Sequence, residues 1–160
     1  NYSLFSDLKC SKKLLKSFNE TFVNSAMIDV REASLGLMLT LYQINPEIAE
    51  FDAVVLTGSL ERYASTIKSE NSFAARHSMV IRSGAIVLSD PYTIKPHLPG
   101  LLSALSRFIS DKNPIGPLVR TTFGEFRRTH METWSTDRQL FTDDQLDAIG
   151  ELLVAPSYYA

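Results

Sequence analysis

Three short runs, each carrying an arginine, divide this chain into like parts. Val30-Arg31-Glu32-Ala33, Ala75-Arg76-His77-Ser78 and Val119-Arg120-Thr121-Thr122 each open an apolar stretch, and the arginines are 45 and then 44 residues apart. The first stretch holds Leu35, Leu37, Met38, Leu39 and Leu41; the second Met79, Val80, Ile81, Ala85, Ile86 and Leu88; the third Phe123 and Phe126. Their spacing follows the helical period and not the strict alternation of a half-buried strand. A repeat of this length suits one unit of two helices, which buries its apolar face only by stacking on its neighbours.

The segments between these runs supply the second helix of each unit. Residues 47–68 place Ile48, Phe51, Val54, Val55, Leu56, Leu60, Tyr63 and Ile67 at roughly helical spacing, with charged positions between them. Residues 97–110 follow Pro96 and Pro99, and proline costs nothing at a helix start. Residues 4–23 pair with a helix opening near Asp29, where Asp29 and Glu32 have the spacing of a capping box. Thr142-Asp143-Asp144-Gln145 is a second capping box, with two acids against the helix dipole and Leu146, Ile149, Leu152 and Leu153 as its apolar stripe.

Together these features predict an all-α fold, a solenoid of the HEAT or armadillo kind. Residues 1–155 form its repeats, in approximate pairs 4–44, 47–88 and 97–131 with a final helix 142–154, and residues 156–160 form a tail. Asn45-Pro46, Asp90-Pro91 and Asn113-Pro114-Ile115-Gly116-Pro117 read as turns between helices. Leu14, Leu15, Phe18, Phe22 and Val23 leave the first edge without a polar cap, so further repeats are expected before Asn1.

Charge and reactive residues exclude more than they offer. A net charge of −2 provides no global field toward nucleic acid. The single Cys10 rules out an internal disulfide and fits a reducing compartment. No apolar run has membrane-spanning length. There is no nucleophile elbow, phosphate loop or paired metal-ligand spacing, so neither an enzyme, a metal nor a cofactor is expected. His77, His97 and His130 lie far apart and read as surface or packing residues. Arg120, Arg127, Arg128 and His130 form a small basic cluster, read either as a phosphate site or as a solvated helix face. Arg31, Arg76 and Arg120 form either a structural ladder, capping carbonyls or pairing acids, or a ladder for a ligand.

After Pro156, which stops the last helix, the chain closes on Tyr158, Tyr159 and Ala160. A hydrophobic residue, a tyrosine and a small terminal residue make a plug that a partner captures by its carboxylate. The run Phe123-Gly124-Glu125-Phe126-Arg127-Arg128-Thr129-His130, then Trp134, Phe141-Thr142-Asp143-Asp144-Gln145-Leu146, Leu152-Leu153-Val154, Pro156 and Tyr158-Tyr159-Ala160 carries a resemblance. It resembles the C-terminus of the large single-chain proteasome activators, the proteasome activator complex subunit 4 family and its yeast relatives.

The resemblance implies a long HEAT-like solenoid that caps the proteasome core particle without ATP. It also implies that Tyr158, Tyr159 and Ala160 insert between α-ring subunits to open the gate, with Pro156 positioning them. The Ala160 carboxylate is expected on a pocket lysine, Tyr159 against the turn that sets the gate, and Tyr158 in an apolar groove. The family further implies a nuclear and cytoplasmic protein that prefers acetylated histones, although no residue here is assigned to an acetyl-lysine pocket. Membrane and direct nucleic-acid partners are not expected. The alternatives are a generic helical-repeat adaptor with an incidental tail and a ligand for a PDZ-type domain, for which Ala160 is a small terminal residue.

Overall fold

The computed structural model describes residues 8–64 and 72–153. Helix α1 (Leu8–Phe18) runs into a π-helical turn (Asn19–Val23) and is followed by α2 (Ile28–Ile44), α3 (Pro46–Ala64) and α4 (Phe73–Ser89). Then come α5 (Leu98–Ser106), α6 (Ile115–His130), the short α7 (Trp134–Asp137) with a 3-10 turn (Arg138–Leu140), and α8 (Asp143–Leu153). No strand occurs among the described residues. The fold is an all-α helical-repeat solenoid.

The helices form two layers. In one, α2, α4 and α6 lie side by side; in the other, α3 packs on α1 and α5, and α8 packs on α5. One continuous core runs from Leu15 to Ile149. Helix α4 sits at its centre and is buried from Arg76 to Val87, with Arg82 alone half-buried. A helix buried on every side needs small residues where neighbours crowd it. Ser83, Gly84 and Ala85 provide them, and a Cβ on Gly84 would stand 3.0 Å from the Thr122 hydroxyl oxygen of α6.

The stripe expected on α3 is rotated. Ile48, Leu56 and Leu60 are buried as expected, but they share their face with Ala49, Asp52 and Ala53. Phe51, Val54 and Val55 are exposed instead, at 43%, 65% and 46%. The cause lies in what surrounds Asp52, whose carboxylate accepts hydrogen bonds from the Tyr42 hydroxyl of α2 and the Arg82 guanidinium of α4. Ala49 and Ala53 let α3 approach closely enough for that contact, while Lys12 covers the outward Phe51 ring at 4.1 Å.

The start of α2 also differs from expectation. Met27 is the N-cap and makes no side-chain cap bond, so Asp29 and Glu32 form no capping box at this end. Ser25 sets the turn, accepting from the Met27 N–H at 3.2 Å, and Asp29 lies in the first helical turn, where its charge suits the dipole. The box at Thr142 is present: Thr142 N–H donates to Gln145 Oε1 at 2.9 Å, and Gln145 N–H to Thr142 Oγ1 at 3.3 Å.

Two of the three repeated arginines hold the stack together. Arg31, 2% exposed, donates through Nε to His77 Nδ1 of α4 at 3.0 Å and through its terminal nitrogen to the Ser25 and Ala26 carbonyls. Arg76 pairs with Asp111 on the α5–α6 loop at 3.0 Å. Arg120 is exposed, since among the described residues no further helix flanks α6 in its layer.

Burial, followed by the Arg31 charge, lowers the His77 pKa to about 4. An unfolded histidine titrates near 6.5, so between these values the unfolded chain binds the extra proton. The stability from keeping His77 neutral is therefore complete above about pH 6.5 and is lost as pH falls toward 4, by up to roughly 3 kcal/mol. Urea midpoints measured from pH 7 to 4.5 should fall with acidification, and less steeply in His77→Gln.

The groove at the end of the helical array

The end of the array is built from α6, α7 and α8. Helix α6 turns Ile115, Val119, Phe123, Phe126 and His130 inward, at three- and four-residue steps. Beyond His130 the chain reverses through α7, and an aromatic chain seals the corner. Phe126 and Trp134 meet edge-on with centroids 6.2 Å apart, and Trp134 meets Phe141 at 5.5 Å. Helix α8 then packs on α5 and α6, with Ile149 fully buried and Leu146, Leu152 and Leu153 half-buried.

His130 is the polar centre of this corner. It is 2% exposed, its ring lies 4.5 Å from that of Phe126, and its Nδ1 is 2.9 Å from Asp137 Oδ2. The Thr133 hydroxyl donates to the same oxygen. An ionised carboxylate only accepts, so in this pair Nδ1 carries the proton. Among the described residues, Nε2 is buried and has no hydrogen-bond partner.

Beside it opens a cavity of about 240 Å³ lined by Phe126, Arg127, His130, Met131, Trp134 and Leu153. Met131 is 71% exposed at its rim. Leu153 is the last described residue, so the groove lies where the chain leaves α8. Tyr158, Tyr159, Ala160 and Pro156 lie outside the described residues.

The basic cluster is spread out. His130 faces inward to Asp137, and Arg128 lies on the surface, donating to Glu125 at 2.8 and 3.0 Å. Arg120 and Arg127 are seven residues apart on one helix, about 10 Å along its axis. Arg127 instead forms a wall of the groove with Phe126 and Trp134. A second hollow of about 220 Å³ lies between α2, α3, α4 and α5, where Lys95 pairs with Asp90 at 3.1 Å. Among the described residues, no group of three or more His, Cys, Asp or Glu is placed to hold a metal. Nor is any helix among them long and apolar enough to cross a membrane.

Sequence reading did not find the groove. Met131 and Leu153 join it only through the reversal at α7, and Asp137 becomes the partner of His130 by the same turn. The sequence signal available was the run of aromatic residues from Phe126 through Trp134 to Phe141.

Residues 73–160 match the family model described as "Proteasome activator complex subunit 4-like, C-terminal". Over 174 aligned residues the chain is 32% identical to proteasome activator complex subunit 4A of Danio rerio, covering 99% of this chain and 9% of that protein. Identity to proteasome activator complex subunit 4 of Homo sapiens is 47% over 85 residues, covering 53% of this chain and 5% of the relative. Proteasome activator BLM10 of Saccharomyces cerevisiae is 33% identical over 86 residues, covering 52% of this chain and 4% of the relative. The chain thus spans less than a tenth of the length of these relatives. Arginine-headed repeats, an array closed by a capped α8 and a matched segment running through Tyr158-Tyr159-Ala160 agree in one assignment: the chain belongs to the proteasome activator complex subunit 4-like family, whose C-terminal region it carries.

Proposed function

We propose that this chain is the C-terminal part of an ATP-independent proteasome activator with HEAT-type repeats, and that its tail docks in a pocket of the core-particle α-ring to promote gate opening. The observation that carries this reading is the family match through residue 160, which includes the whole of Pro156-Ser157-Tyr158-Tyr159-Ala160. Relatives over the same region are named proteasome activators. Tyr158 fills an apolar groove in the ring and Tyr159 presses on the turn that sets the gate. With Ala160 as the chain end, its carboxylate pairs with a pocket lysine.

A charge-assisted bond in a partly buried pocket contributes about 1.5–3 kcal/mol. A lone tail of three residues loses much freedom on docking and binds weakly. Pro156 limits that freedom, and attachment to a broad array raises the local concentration of the plug. Opening further requires that the tail bind the open ring more tightly than the closed one. The role is regulatory and not catalytic, it needs no cofactor, and it places the protein in nucleus and cytoplasm. Acetylated histones are substrates reached through the wider family protein.

The test is stimulation of fluorogenic-peptide hydrolysis by purified core particle. Tyr159→Ala, or removal of Ala160, should weaken binding by about 10- to 100-fold and reduce stimulation in step, with helicity unchanged. Full stimulation and binding without the tail would overturn the reading and favour a generic adaptor, in which substitutions on the helical surface matter instead. Retained binding to a PDZ-type domain alone would favour the third reading.

A further inference from the structure

We propose that the groove at the end of α6, with the uncovered edge of α6 leading into it, is a docking site for an acidic segment of a partner polypeptide that inserts one tyrosine. The tyrosine ring enters the cavity, its hydroxyl pairs with His130 Nε2, and a carboxylate of the same segment meets Arg120. Three observations converge on this occupant. First, His130 is 2% exposed and its Nε2 has no hydrogen-bond partner among the described residues. An unpaired buried nitrogen costs stability, and a polar group on a ligand recovers it. With Nδ1–H turned to Asp137, Nε2 accepts when the ring is neutral and donates when it is protonated. A hydroxyl does both, so the pairing holds in either state. Indole only donates, phenylalanine has no polar group, and serine and threonine lack the apolar body that Phe126, Trp134 and Leu153 call for.

Second, the size and rim suit one side chain. At about 240 Å³, the cavity is smaller than the roughly 300–1,000 Å³ typical of small-molecule sites. Met131 stands exposed at the mouth, and its unbranched side chain can swing aside as a ring enters. A tyrosine sunk into a desolvated pocket and ringed by weaker contacts is the usual anchor of a protein interface.

Third, charge and space continue along α6. Arg120, Gly124, Arg127 and Met131 share one face at four- and three-residue steps, and among the described residues no further helix flanks α6 in its layer. Arg127 forms a wall of the groove, and the exposed Arg120 lies about 10 Å from it along the axis. Three residues of extended chain span about the same distance. An acid three residues from the tyrosine therefore reaches Arg120 while the ring sits in the groove. Between the two arginines, an added Cβ on Gly124 would have nothing within 4 Å, which leaves room for a peptide backbone to lie close.

The test is an NMR titration of the full chain, read at the indole N–H of Trp134, the only tryptophan of the sequence. The probes are the peptide acetyl-Glu-Gly-Gly-Tyr-Gly-Gly-Glu-amide, its counterpart with phenylalanine for tyrosine, and its counterpart with lysine at both ends. The first should shift the indole signal saturably and bind about fivefold more tightly than either of the others, the worth of one hydrogen bond or one ion pair. Only the peptide changes in this series, so no folding defect enters the comparison. Arg120→Glu, at an exposed position, should then abolish the preference for glutamate over lysine ends and keep that for tyrosine over phenylalanine. Absence of a saturable shift, equal binding of the tyrosine and phenylalanine peptides, or a charge preference unmoved by Arg120→Glu would each overturn the proposal. No core particle takes part, so the outcome is separate from that of tail-dependent stimulation.

Discussion

Asp52→Ala is expected to destabilise the chain by about 3–5 kcal/mol, the cost of leaving a buried charge without its partner. Asp52 is 1% exposed and is the point at which three helices meet. Its Oδ2 accepts from the Tyr42 hydroxyl and from Arg82 Nε at 2.9 Å, while Oδ1 pairs with the Arg82 terminal nitrogen. Burial works against the Arg82 charge, but Asp52 outweighs it and raises the Arg82 pKa. Burial, with Asp52 second, likewise raises that of Tyr42. The one carboxylate thus supports the Arg82 charge and accepts the Tyr42 hydroxyl, and alanine leaves both groups without that partner.

Tyr42→Phe removes a single bond and should cost only about 1–2 kcal/mol. The triple replacement Tyr42→Phe, Asp52→Leu, Arg82→Met should recover most of the Asp52→Ala loss, because an apolar set of similar volume pays no desolvation penalty. Urea unfolding of the four proteins measures all of this. An Asp52→Ala loss below 1 kcal/mol would show that water reaches Arg82 and that the triad does not bind the layers together.

The same residue shows where reading the sequence stopped. Periodicity located the helices because stacked pairs bury long apolar stripes, and it placed α2, α3, α4, α6 and α8 to within a few residues. It misassigned the face of α3, because hydrophobicity ranks Phe51, Val54 and Val55 above Ala49, Asp52 and Ala53. The decision depended on the Arg82 guanidinium, 30 residues away, which no local pattern contains. The capping box at Thr142 was legible since both of its bonds are local, whereas the one expected at Asp29 gave way to a turn organised by Ser25 and Arg31. The groove was illegible for a related reason. Its walls come from three elements, and only the reversal through α7 unites them.

The α5–α6 loop gives the second large effect. Gly116→Ala should cost about 3–5 kcal/mol, although this glycine has an ordinary helical backbone and no positive φ. The constraint is space. A Cβ there would lie 2.5 Å from the Asp111 carbonyl oxygen and 2.7 Å from that of Ile109. Both obstacles are backbone, so no rotamer change relieves the clash, and either α6 or the loop has to move. The loop is not free to do so, because Asp111 is held against Arg76 of the central α4 at 3.0 Å, with side chains 1% and 9% exposed. Relief of one contact thus breaks the other, and overpacking is joined by the loss of a buried ion pair.

Gly36→Ala and Gly58→Ala are the informative controls. Both glycines lie inside helices with nothing within 4 Å of the added carbon, and each substitution should stabilise by about 0.5–1 kcal/mol through helix propensity alone. Denaturant midpoints should therefore rank Gly36→Ala and Gly58→Ala above the parent chain and Gly116→Ala far below it. In Gly116→Ala, amide exchange should accelerate first in the opening turn of α6. A midpoint within 1 kcal/mol of the parent would mean that the loop yields without disturbing Arg76. In that case α6 would be positioned by its apolar face on α4 alone.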